Sequence, residues 1–404
     1  MKKIIVIGMV MVMISLCLLV ACNTKNNANK SHIEVVPSSI VIDIDKIEKK
    51  DTIYASSIFR KVNTIILEDS DNAIIGVING MQIFDNFIFV LDSWKAKRLF
   101  VFNREGKYIR QIGNSGHGPG EYISISDFCI DPNNRKIYVL DDWKHTILSY
   151  SVDDGKYIGS IKLPNDISTH YIACSNNNKL YVNICPYKLS QGDDLLMEVD
   201  SETSKSKTYI SAEQYNLGWN RHAFSDFNFF ASKNYPLKYV ELYMQTVFAI
   251  TNDSIYPYIT VKSDDWVKKT DIITEEEFNA SEGMFQDEIT YTRNRVERIH
   301  SYMEWDDYVY FEYYQKMNTC PVIYNKKTQE AIHYGYFKND LVYNKNAADT
   351  KFFYTTSKAA YDYLDFDRLE YIIDKIVFAP DLDKKDEIMK LDKERFVIFE
   401  YEFK

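Results

Sequence analysis

Cysteine is scarce, six in 404 residues. There is no C-x-x-C pair and no Cys/His pairing, so a local zinc site is excluded. The seven histidines (His32, His117, His145, His170, His222, His300 and His333) are scattered without ligand spacing, although a ring could bring distant ones together on its axis. Beyond residue 20 no apolar run approaches the roughly 18 residues of a membrane span. No Gly-Lys-Ser/Thr phosphate loop occurs. Positive charge is also in deficit: 48 Lys and Arg stand against 58 Asp and Glu, a formal net charge of −10. That balance argues against nucleic acid, whose phosphates demand basic neutralisation, and against a basic patch for anionic lipid. The acidic run Asp381–Glu387 lacks the glycine and third oxygen ligand of an EF-hand loop and reads as a solvated loop.

The longest apolar run is at the N-terminus. Lys2 and Lys3 precede a run from Ile4 to Val20, closed by Leu19-Val20-Ala21-Cys22. This resembles a bacterial lipobox, which implies a signal peptide over residues 1–21 and acylation of Cys22. Losing Lys2 and Lys3 would take the charge from −10 to −12. Residues 22–32 are polar and read as a flexible tether. Asn23 is not an aspartate and no acidic cluster follows, so the expected address is the outer membrane, facing the periplasm, with the lipid as the only membrane attachment.

From residue 33 to 404 the pattern is β. Phe87–Ile112 and Lys136–Ile161 align without a gap at a spacing of 49 residues and are identical at 12 of 26 positions. A repeat of that period, built of strands and tight turns, predicts propeller blades. At roughly 50 to 60 residues per blade the chain holds six, with seven as the upper bound. Further units are expected at Lys179–Ile210, at Tyr239–Val261 with a hairpin on Thr251–Asp253, and at His300–Tyr336. Strands near Ile40–Leu67 should complete one sheet with the last strand, Arg395–Phe403, and close the ring. Two segments read as helical inserts: Thr274–Ile299, which opens on a capping box, and Thr355–Asp374. Cys129, Cys174, Cys185 and Cys320 read as buried single cysteines on strands.

The stretch FIFVLDSWKAKRLFVFNREGKYIRQIGNSGHGPGEYISISDFCIDPNNRKIYVLDDW resembles the NHL-type propellers, specifically the six-bladed β-propeller lipoproteins of Bacteroidetes. The motif is specific over Val77–Leu163 and continues beyond as rhythm alone. The resemblance implies an all-β, NHL-like ring of four-stranded blades. The sequence departs from it in one respect. The family's Asp–Arg pair five residues apart is absent, because Asp92 meets Arg98 six residues on and Asp141 faces Ile147. The pairs Asp92/Asp141, Trp94/Trp143 and Lys95/Lys144 recur between blades and read as structural.

No catalytic constellation stands out, so the sequence points to a binding or interaction module for a glycan, peptide or envelope protein, monomeric and without a cofactor. The alternative is a hydrolase or lyase with a divalent metal such as calcium on the ring axis. The candidate ligand contacts are His117 and Glu121 in the glycine-rich loop Gly113–Tyr122, and Trp219, Arg221 and His222 in the Tyr215–Phe224 segment. Tryptophan and tyrosine in loops suit such ligands because the ring stacks while its polar edge hydrogen-bonds.

Overall fold

A computed structural model describes residues 38–175, 178–185, 194–215, 228–232, 235–271, 295–316, 318–345, 350–364, 377–391 and 395–404. Three strands open the chain: β1 (Ile40–Asp43), β2 (Glu48–Tyr54) and β3 (Phe59–Ile66), with the one-turn helix α1 (Ala55–Ile58) before β3. Blade 1 is β4 (Gly80–Phe84), β5 (Phe87–Asp92), β6 (Arg98–Asn103) and β7 (Tyr108–Ile112). A short parallel pair, β8 (Asn114–Ser115) and β9 (Glu121–Tyr122), leads to blade 2: β10 (Ile125–Asp131), β11 (Lys136–Asp141), β12 (Thr146–Ser151) and β13 (Tyr157–Lys162). Blade 3 is β14 (Ile172–Cys174), β15 (Lys179–Asn183), β16 (Asp194–Asp200) and β17 (Ser206–Ser211), followed by the one-turn helix α2 (Ala212–Tyr215).

Blade 4 is β18 (Phe229–Ser232), β19 (Tyr235–Tyr239), β20 (Thr246–Ile250) and β21 (Ile255–Lys262); blade 5 is β22 (Val296–Trp305), β23 (Tyr308–Gln315), β24 (Asn318–Asn325) and β25 (Glu330–Lys338). Beyond blade 5, β26 (Tyr343–Lys345) later pairs with β29 (Val377–Phe378). Blade 6 combines β27 (Tyr354–Thr355), β28 (Ala359–Leu364), β30 (Val397–Phe403) and, as its outermost strand, β3. The one-turn helix α3 (Lys385–Ile388) lies in the crossing between β29 and β30. The molecule is a six-bladed β-propeller.

The second strands show why the sequence folds this way. In β11, Ile137 and Val139 pack toward blade 1, while Tyr138 and Leu140 pack toward blade 3. In β5, Ile88 and Val90 face blade 6 while Phe89 and Leu91 face blade 2. A strand buried on both faces needs an unbroken apolar run, which FIFVLD and KIYVLD supply here, as TVFAI does in the third strand of blade 4. The same rule corrects the helix expected over Thr355–Asp374. Ala359–Leu364 is the two-faced second strand of blade 6, with Tyr361 and Tyr363 on one side and Ala360 and Leu364 on the other. Residues 365–376, and nearly all of the Thr274–Ile299 segment, lie outside the described residues; its end, from Val296, is strand β22.

Ring closure is divided among the N-terminal strands. β3 pairs antiparallel with β30, from Phe59 opposite Phe403 to Ile66 opposite Val397. β1 and β2 do not join that sheet. They add in parallel to the outer edges of blades 4 and 5, Ile42 beside Val261 and Ile53 beside Phe337. Blade 6 has room for only one strand beside β30, so the preceding chain covers the two open edges before it. The acidic residues of Asp381–Glu387 are exposed, as expected of a solvated loop, while Leu382 is buried, Thr64 Oγ1 donates to the Asp383 carbonyl at 2.9 Å, and α3 begins within the segment.

Candidate functional site

In each blade the crossing into the first strand and the turn after the second strand meet at the same mouth of the ring, because those two strands are antiparallel. In blades 1 to 3 a buried acceptor at the end of the second strand holds this backbone. In blade 1, Asp92 Oδ2 accepts the Gly76 and Val77 N–H groups at 2.8 and 3.1 Å, while Oδ1 accepts those of Trp94 and Lys95 at 3.2 and 2.8 Å. In blade 2, Asp141 accepts Ile123 N–H at 2.7 Å and Lys144 N–H at 2.9 Å. In blade 3 the acceptor is an amide: Asn183 Oδ1 takes the His170 and Tyr171 N–H groups at 2.9 and 2.8 Å. The recurring aspartates are thus anchors for backbone that would otherwise be orphaned.

The residue two places after each anchor lies in the turn at this mouth. It is Trp94 in blade 1 and Trp143 in blade 2, 77% and 74% exposed. In blade 3 it is Cys185, which is buried. The recurring lysine works inward: Lys144 Nζ donates to the carbonyls of Gly116 and Glu121 at 2.9 and 2.8 Å, stapling the crossing loop under the Trp143 turn.

That loop carries two of the expected contacts. His117 is exposed on it. Glu121 turns its Oε2 back onto the Gly118 N–H at 2.8 Å, so its carboxylate is largely spent on its own turn. Gly120 holds φ +75, and a Cβ there would meet Tyr157 Cγ at 2.7 Å; only glycine suits both demands. Trp219, Arg221 and His222 lie outside the described residues.

Sequence reading missed a trio at the junction of blades 2 and 3. His170 Nδ1 stands 3.5 Å from Asp142 Oδ2, and Cys185 lies near enough to act on its pKa. Asn183 fixes the geometry: its oxygen is committed to two N–H donors, so its Nδ2 faces Cys185 Sγ at 3.6 Å. The signal was positional. Asp142, His170 and Cys185 fall at the turn and crossing positions that the anchors bring together, though 28 and 15 residues separate them along the chain.

Thiol, imidazole and carboxylate in series are the order of a nucleophile, its base and its orienter. Here Asp142 and then Cys185 push the His170 pKa up to about 10. At neutral pH it is an imidazolium paired with Asp142, able to donate hydrogen bonds to a ligand and also the form in which an imidazole stands beside an activated thiol. Beside it, Asp142 Oδ1, His145 Nδ1 and Thr169 Oγ1 are buried without a partner. Such atoms cost about 1–3 kcal/mol each, which sets this junction apart from the satisfied anchors around it.

A second polar cluster is structural. Glu304 accepts Lys238 Nζ at 2.8 Å, Lys326 Nζ at 3.1 Å, and the Tyr258 and Tyr302 hydroxyls at 2.8 and 3.0 Å. Its carboxylate is saturated. The adjoining cleft beside Phe230 and Thr355 has about 10 Å³ for the centre of a water-sized group, too little for a sugar ring. Among the described residues, no three His, Cys, Asp or Glu side chains are placed to hold a metal ion, and no helix is long and apolar enough to cross a membrane.

Solved structures of the same fold come from Bacteroides. A Bacteroides fragilis protein described as exported is 19% identical, with a TM-score of 0.63 over 90% of this chain and 100% of its own. A member of the DUF4221 family from Bacteroides vulgatus is 13% identical, with a TM-score of 0.52 over 85% of this chain and 98% of its own. These likenesses show the propeller fold and leave the NHL resemblance at the level of fold. No curated protein matches the sequence. The family model for the domain of unknown function DUF4934 matches residues 39–394, and the chain belongs to that family.

Proposed function

We propose that this propeller is a binding module of the cell envelope, anchored by lipid on Cys22, that seats a glycan, peptide or partner protein on the mouth carrying Trp94 and Trp143. The observation that carries the reading is the exposure of these two indoles, 77% and 74%, at matching positions of adjacent blades. A propeller buries its large side chains between blades, and Trp266 and Trp305 do so here. Two tryptophans held in water on rigid, anchored turns are the anchors expected of an interface, because an ordered aromatic binds at little cost in conformational entropy. The imidazolium of His170 and the exposed His117 add polar contacts on the same mouth. The lipobox supports the envelope address.

Glycan and peptide arrays probed with the soluble ring, followed by titration of any hit, test this. Trp94→Ala and Trp143→Ala should each weaken a hit about tenfold or more, with the thermal midpoint unchanged. A ligand that binds both variants as tightly as the parent chain would place recognition elsewhere and overturn the assignment of this mouth.

A further inference from the structure

Cys129 on β10 and Cys174 on β14 occupy the innermost strands of neighbouring blades. Side chains two residues apart on a strand share a face, so Asp127 goes with Cys129 and Ile172 with Cys174. Those faces look at each other. Cys129 and Ile172 belong to the apolar cluster between blades 2 and 3, and Cys174 packs against it. Phe128 and Ala173, the residues between, point away toward blades 1 and 4. The Ile172 N–H donates to Asp127 Oδ2 at 2.9 Å, pinning the strands together at the first matching position. At the second matching position the two thiols come next, close enough for Cys174 to raise the Cys129 pKa. Cys129 is buried and Cys174 only partly so, and both are free thiols.

We infer that Cys129 and Cys174 are a redox pair that closes a disulfide between the innermost strands of blades 2 and 3. The oxidant is an external disulfide, RSSR, of the low-molecular-weight thiol or thiol-oxidoreductase class. Cys174, the more accessible sulfur, loses its proton and attacks RSSR, forming a mixed disulfide and releasing one RS⁻. Cys129 then loses its proton and attacks Cys174 Sγ, forming the protein S–S bond and expelling the second RS⁻. Two protein thiols are oxidised, RSSR is reduced to two RSH, and the two protons leave with them. Burial, with Cys174 beside it, pushes the Cys129 thiol well above its ordinary range. Closure speeds up with rising pH, because Cys129 must lose its proton before it attacks.

The test exposes the reduced full chain to oxidised glutathione, alkylates it with iodoacetamide, and maps it by peptide mass spectrometry. The expected product links the Cys129 and Cys174 peptides, leaves Cys185 and Cys320 alkylated, and raises the thermal midpoint over the reduced chain. Cys129→Ser and Cys174→Ser should each abolish that rise. Alkylation of both Cys129 and Cys174 after oxidation would overturn the pairing. So would a Cys174–Cys185 link, or a glutathione adduct on Cys174 that Cys129 never resolves. Because reduced and oxidised wild type are compared directly, the outcome does not depend on the variants folding.

Discussion

At the scale of single residues, the anchors at the ends of the second strands bear the most weight. Asp141 is fully buried and holds Ile123 and Lys144 N–H groups from two separate segments. Asp141→Ala leaves those donors buried and unmade, and should destabilise the ring by about 3 kcal/mol in urea unfolding. Asp141→Asn keeps one acceptor and should cost about 1 kcal/mol, since Asn183 already does this work in blade 3 with a single oxygen. Equal losses for the two variants would mean that the negative charge, not the acceptor geometry, is what the fold requires. The recurrence of Asp92 and Asp141 was legible in the sequence as a structural signature. Their actual partners, backbone N–H groups in the preceding crossing, were not, because a strand-to-crossing bond leaves no pattern in side-chain identity.

At the scale of elements, the N-terminal strands divide into the essential and the additional. β3 is the fourth strand of blade 6, and the seam behind it is tied by Glu68 N–H to the Gly106 carbonyl at 2.8 Å and by the Arg104–Glu400 ion pair. β1 and β2 are fifth strands on blades that are complete without them. β2 carries exposed Glu48, Lys49, Lys50 and Asp51, the charged dressing that keeps an outer edge from pairing with another chain. A chain beginning at Ala55 should therefore still unfold cooperatively, with a midpoint lowered by several degrees through loss of buried Ile42, Ile44 and Ile53. A chain beginning at Glu68 should lose the cooperative transition. Calorimetry on the two truncations distinguishes these results, and similar behaviour from both would show that β3 does not close the ring energetically.

At the scale of the whole molecule, the innermost strands place an acidic group where the blades converge. Asp127 on β10 is flanked by β14, and burial pushes its carboxyl up to about 7 even though Ile172 N–H stabilises the charged form. An unfolded aspartate titrates near 3.9, so between about pH 4 and 7 the unfolded chain is ionised at this position while the folded chain keeps its proton. Folding then takes up a proton, and raising the pH through that window removes stability. Asp127→Asn keeps an oxygen for Ile172 N–H without the penalty. Its stability relative to wild type should grow as pH rises from 4 to 7 and level off above, read from urea midpoints across that range. A difference that stays constant with pH would show that Asp127 ionises freely in the folded ring.

The amino-acid sequence by itself determined the architecture. The 49-residue repeat and the unbroken apolar second strands can only be satisfied by sheets buried on both faces and arranged in a ring. It could not determine what the ring brings together. Asp142, His170 and Cys185 meet because crossings and turns of successive blades share one mouth, and Cys129 meets Cys174 because innermost strands run side by side. The distribution of β1, β2 and β3 over three blades was also decided in three dimensions, by which sheet edges stood open. Periodicity is a local property that each strand's burial imposes on its own residues. Contacts between blades join positions tens to hundreds of residues apart, and only the closed ring fixes them.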